Sequence, residues 1–78
     1  MKIDLDLLPW YQRLELLRTL KKWSQRSAAE RCNVTHKMYW SWESGERVPH
    51  KNNRLAISSA FGVSEQEIFG NNPQKKAV

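Results

Sequence analysis

Seventy-eight residues, 40% of them hydrophobic and 27% charged, supply one small core and leave no room for a second. No run approaches the ~18 consecutive apolar residues that mark a membrane span, and Asp4 and Asp6 interrupt the leucines where a secretory signal would need an apolar stretch. The single cysteine, Cys32, cannot form an internal disulfide, so a reducing cytoplasm is the natural setting.

The net charge is +5, and it is unevenly placed: residues 1–12 carry −1, residues 13–54 carry +6 and residues 55–78 carry 0. A positive excess confined to one central stretch suits a polyanionic partner, through phosphate neutralisation and counterion release. A merely soluble basic surface has the same composition, so the charge needs a structural context.

Taken in chain order, Ile3, Leu5 and Leu7 alternate with Asp4 and Asp6, a pattern compatible with a short strand or an extended arm. A helix is expected to begin near Pro9, whose fixed φ and missing N–H are tolerated at a helix start. Trp10, Leu14, Leu17 and Leu20 fall on one face at helical spacing. Ser24 can cap a short second helix from Gln25 to about Cys32, with Ala28, Ala29 and Cys32 forming a small-residue face. Asn33 tolerates the left-handed conformation needed for a sharp exit. Thr35 can cap a third helix through His36 and Glu43, stopping at Gly45, with Tyr39 and Trp42 on a shared inner face. After a polar loop, a fourth helix is expected from Asn52 to Phe61, with Leu55, Ala60 and Phe61 inward and Gly62 at its end. Ser64 and Glu67 fit a capping box for a last short helix through Ile68 and Phe69. Residues 70–78 are expected to be a disordered tail.

Two short helices joined by a tight turn are the DNA-reading unit of helix-turn-helix proteins. Such a unit needs a small side chain where its helices cross, and Ala29 supplies one. Its second helix must bury one face and leave the other clear; with Tyr39 and Trp42 inward, His36, Lys37, Trp40 and Ser41 fall outward.

The residues Gln25-Arg26-Ser27-Ala28-Ala29-Glu30, Val34-Thr35, Trp42-Glu43-Ser44-Gly45, Arg47-Val48-Pro49 and Ile57-Ser58-Ser59-Ala60-Phe61-Gly62-Val63-Ser64 together resemble the Cro/phage-repressor (XRE-type) helix-turn-helix family. The resemblance covers roughly residues 14–69 and implies an all-α, five-helix domain of the lambda-repressor-like type. On that basis residues 1–12 form an N-terminal arm and residues 13–69 the DNA-binding domain. The resemblance implies that Thr35, His36, Lys37, Trp40 and Ser41 face base edges and nearby phosphates, that Gln25 contacts the DNA backbone, and that Arg18 and Glu43 form a partly buried ion pair. Arg47, Lys51 and Asn52 border the same face and are expected to clamp phosphates. The sequence departs from the family where Ala28 and Cys32 replace larger aliphatics, where Tyr39 and Trp42 replace smaller ones, and where Asn33 and Lys22 occupy frequent glycine sites. The first four substitutions read as a volume exchange within a packed core.

Each of these residues has a plainer reading. Lys37 can bond guanine O6 and N7 or only neutralise a phosphate; Trp40 can press on a thymine methyl or a partner, or fold back over the domain. Arg47, Lys51 and Asn52 can be ordinary surface. Cys32 and His36 are spaced like a metal or nucleophile pair, but His50 is the only other histidine and no ligand set for zinc follows. No acid dyad, phosphate loop or Ser/His/Asp set stands out, so no enzyme activity, cofactor or metal is expected.

Two functions remain. One is a sequence-specific, double-stranded-DNA-binding transcriptional regulator of phage or bacterial type, acting as a homodimer in the bacterial cytoplasm at the nucleoid, with no membrane association. Neither a ligand-sensing nor a cleavage domain is expected, and residues 1–12 are the candidate dimer contact. The other is a protein-interaction module, antitoxin-like or an adaptor subunit, meeting a protein partner through an exposed Trp10, Trp40 or the arm. RNA is a weaker candidate, since no aromatic platform motif is present.

Overall fold

The computed structural model describes residues 8–70; the alternating segment and the bulk of the expected tail lie outside the described residues. Within them the chain forms five helices and no strand: α1 (Trp10–Leu20), α2 (Gln25–Arg31), α3 (His36–Glu43), α4 (Lys51–Phe61) and α5 (Glu65–Phe69). This is the all-α, five-helix architecture that the sequence implies.

Local chemistry sets the boundaries. The hydroxyls of Ser24, Thr35 and Ser64 each accept a hydrogen bond from the third backbone N–H of the helix that follows, and Glu67 completes the capping box at Ser64. Pro9 starts α1 without a side-chain cap, its carbonyl accepting from the N–H groups of Gln12 and Arg13 at 3.0 Å. Both α1 and α2 end in left-handed residues, Lys22 and Asn33, each at φ 61°. In each case the following N–H closes on a carbonyl of the last turn, Trp23 to Arg18 at 3.2 Å and Val34 to Ala29 at 3.0 Å. Asn33 adopts that conformation readily; Lys22 does so at a cost of about 1 kcal/mol.

The core gathers Trp10, Leu14, Ala28, Ala29, Cys32, Tyr39, Trp42, Ile57, Phe61, Ile68 and Phe69. Ala28 and Ala29 let α2 settle closely on α3, and the Tyr39 and Trp42 rings pack edge-to-face at 5.8 Å. Trp10 packs against Phe69 at 5.7 Å, joining α1 to α5. The Trp23 ring presents itself to Phe61 at 5.2 Å and carries the Arg31 guanidinium 4.3 Å above it.

Helix α1 opens at Trp10, directly after Pro9 as expected. Three expectations of burial need correction. Trp10 is only 5% exposed, so it is a core residue and not a partner surface. Leu20 is 62% and Leu55 48% exposed. Leu20 is the last residue of α1, and Leu55 stands about 200° around α4 from Ile57, the residue that takes the inner position instead.

One polar cluster ties the first three helices together. Glu43, with its side chain 4% exposed, accepts from Arg18 Nε at 2.6 Å, Arg18 Nη2 at 3.2 Å and Gln25 Nε2 at 3.0 Å. Arg18 Nη1 also donates to the Trp23 carbonyl at 2.8 Å, holding the link between α1 and α2. Bidentate, charge-assisted geometry of this kind fixes orientation as well as contributing energy. The Tyr39 hydroxyl approaches the Glu43 carboxylate without a formed hydrogen bond, and burial, followed by that carboxylate, raises its pKa.

Removing Arg18 strands a buried carboxylate, and Arg18→Ala is expected to cost about 3 kcal/mol. A melting curve superimposable on that of the parent would remove the ion pair from the stability account. Burial also pushes the Cys32 thiol up to about 11, whereas in an unfolded chain it ionises near ~8.5. Its raised folded pKa makes a contribution that is complete below the unfolded value and lost as pH climbs through the folded one. Cys32 is therefore expected to resist thiol reagents at pH ~8 until the protein unfolds. The stability gap between the parent and Cys32→Ala should narrow between pH ~9 and ~11; a gap independent of pH would contradict this.

Candidate nucleic-acid interface

Residues 32–35 carry the chain from α2 to α3. The turn works because Asn33 takes a positive φ and Thr35 immediately recaps the chain, its Oγ1 accepting from the Met38 N–H at 3.1 Å. With Tyr39 and Trp42 sealed into the core, the opposite side of α3 is left to solvent. His36, Lys37 and Trp40 lie on it, and Trp40 is 47% exposed.

Gln25, the first residue of α2, faces the start of α3. Because its Nε2 donates to Glu43, its Oε1 is turned toward His36, 3.5 Å from Nε2. The buried ion pair thus reaches, through one amide, to the residue that opens the outward helix. Arg18 neutralises Glu43, leaving the α3 face without an uncompensated carboxylate from the helix itself.

Ser41 departs from the expected arrangement. It is 8% exposed, and its hydroxyl donates to the Met38 carbonyl of its own helix at 2.6 Å. The loop after α3 explains the burial: the Glu46 and Arg47 N–H groups donate to the Ser41 carbonyl at 3.1 and 3.3 Å and draw the loop over it. Ser41 consequently forms the floor of a concavity of about 260 Å³, with Thr35, Lys37, Trp40 and Arg47 around it. Met38 and Glu46 share that lining and were not among the residues the sequence singled out. Met38 was findable, since it lies three residues from both Thr35 and Ser41 on the helix; Glu46 was not, because the path of the loop decides where it points.

Lys51 and Asn52 are exposed in the first turn of α4, which has no acidic residue and no side-chain cap. Cation-bearing residues of the loop and of two helices, Arg47, Lys51 and Lys37, are thus all open to solvent. Among the described residues no helix is long and apolar enough to cross a membrane, and no group of three or more His, Cys, Asp or Glu side chains is arranged to hold a metal.

Comparison with known proteins agrees with this geometry. A family model described as helix-turn-helix matches residues 14–68. Among solved structures, the chain is similar to the restriction-modification controller protein C.AhdI from Aeromonas hydrophila. The two share 30% identity and a TM-score of 0.74, with 85% of this chain and 100% of that chain covered. No curated protein matches. An α2–turn–α3 unit with a sealed inner face, a match over most of the chain and a closely superimposable controller protein lead to one assignment: the chain belongs to the XRE-type helix-turn-helix family of DNA-binding transcription regulators.

Proposed function

We propose that this protein is a sequence-specific regulator of bacterial or phage type that reads the major groove of double-stranded DNA with α3. The observation that carries the reading is the two-sidedness of that helix. Tyr39 and Trp42 are 0% and 1% exposed, while Lys37 and Trp40 stand in solvent on the other side. A helix held rigidly by its inner face and free on its outer one is the geometry that fits a major groove.

In this reading Thr35, His36, Lys37 and Trp40 meet base edges and the sugars beside them. Ser41 supports them from beneath. Gln25 lies where the DNA backbone passes the start of α2, and Arg47, Lys51 and Asn52 hold phosphates. The unobstructed first turn of α4 favours an anion there, since its N–H groups carry the positive end of the helix dipole. The similarity to a restriction-modification controller protein supports a bacterial regulator working in the cytoplasm at the nucleoid.

A protein-interaction module retains less support. Trp10, one of its expected contacts, is spent on the α1–α5 core, and the exposed Trp40 sits beside cations suited to phosphate.

Binding to duplexes selected from a random pool is expected to weaken steeply as salt rises. Lys51→Ala should lower affinity about equally for all sequences and flatten the salt slope by about one unit per protomer, whereas Lys37→Ala should also change the preferred sequence. Salt-insensitive binding, or an unchanged sequence preference in folded Lys37→Ala, would favour the interaction module.

A homodimer reading two half-sites about 34–36 Å apart completes the proposal, with the residues ahead of α1 as its contact. Because Trp10 belongs to the core, the test removes residues 1–7 alone. Sedimentation should show a dimer becoming a folded monomer; an unchanged dimer would move the interface elsewhere.

A further inference from the structure

The outer surface of α3 is more apolar than phosphate binding requires. Met38 is 39% and Trp40 47% exposed. At about 100° per residue they stand on opposite flanks of the row formed by Lys37 and Ser41. Both line the hollow over Ser41.

The hollow is fixed, not incidental. Its loop wall is pinned by two backbone hydrogen bonds to the Ser41 carbonyl, at 3.1 and 3.3 Å. Its floor offers no hydroxyl donor, because the Ser41 hydroxyl proton is already committed to the Met38 carbonyl at 2.6 Å. Apolar groups therefore flank a site whose central hydroxyl has no proton to spare, while Lys37 and Arg47 stand at its rim.

Resting on the DNA reading above, we propose that this concavity receives the C5 methyl group of a thymine in the major groove. Thymine is the base whose major-groove edge carries a methyl group, next to the O4 acceptor. The methyl asks for apolar contact and no hydrogen bond, which Met38 and Trp40 provide; the Lys37 ammonium beside them donates to acceptors on the same edge. Guanine presents two acceptors and no methyl, so it leaves the apolar flanks of the hollow unfilled. The pocket thus favours thymine at one position of each half-site.

The test needs no altered protein at first. In a duplex selected for tight binding, each thymine is replaced singly by deoxyuridine, which removes one methyl group and alters no hydrogen-bonding group. One position per half-site should then bind about fourfold more weakly, the effect of withdrawing one buried methyl. M38A and W40A, both at exposed positions, should keep the parent melting temperature and bind the thymine and uracil duplexes with affinities closer to equal. Salt-sensitive binding that ignores uracil at every position overturns the thymine pocket alone. A uracil penalty undiminished in both variants overturns its assignment to Met38 and Trp40. Absence of salt-sensitive duplex binding overturns the proposed function and this inference with it.

Discussion

A carboxylate cannot be left alone in the interior of a small protein, and the burial of Glu43 organises much of what surrounds it. Its side chain, 4% exposed, closes α3 at the point where α1 and α2 converge. Desolvating that charge is tolerable only with donors in fixed places. Arg18 supplies two of them from α1 and Gln25 a third from α2. A helix pair in register through apolar packing alone can slide; one whose terminal carboxylate must meet three donors has little freedom. Geometry at one buried point therefore sets the angle at which the opposite face of α3 is offered to the outside, and the Gln25 amide extends that control to His36.

Around this cluster the core is built by exchanging volume between facing helices. Ala28 and Ala29 give the inner face of α2 little side-chain bulk, as does Cys32 at its end, and the Tyr39 and Trp42 rings occupy the space from α3. Dense packing tolerates such exchanges where total volume is kept. Rings also resist rotation in a confined site, so the large partners sit on the helix whose orientation matters most. The same logic places Trp10 and Phe69 at the α1–α5 contact and Trp23 against Phe61 under the Arg31 guanidinium.

Helix starts and stops were legible in the sequence because each depends on a few adjacent atoms. Ser24, Thr35 and Ser64 cap where their hydroxyls suggest, and Asn33 and Gly62 turn the chain with positive φ. The inward placement of Tyr39 and Trp42 followed from helical spacing. What spacing could not decide was the choice between candidate stripes: on α4, Ile57 and not Leu55 is inward, because the neighbouring helices lie on that side. Trp10 became core for a similar reason, through a long-range contact with Phe69. In the candidate interface, the exposed positions of His36, Lys37 and Trp40 were readable from one helix. Ser41 was not, since its burial comes from a loop that folds back to its carbonyl. Loop paths of that kind depend on backbone hydrogen bonds that no pattern of side chains announces.

The surface completes what the interior prepares. Positive charge is concentrated in residues 13–54, but Lys21 and Arg31 are drawn to the Trp23 ring and Arg18 to Glu43. Lys37 and Arg47 stand at the outer face of α3, and Lys51 opens α4 after the loop. The most direct measurement is backbone amide shift mapping by NMR as a selected duplex is added. The account predicts the largest changes from Thr35 to Ser41 and at Arg47, with smaller ones at Gln25 and Lys51. Changes centred instead on Leu20 and Leu55, with Lys37 and Trp40 unmoved, would contradict it.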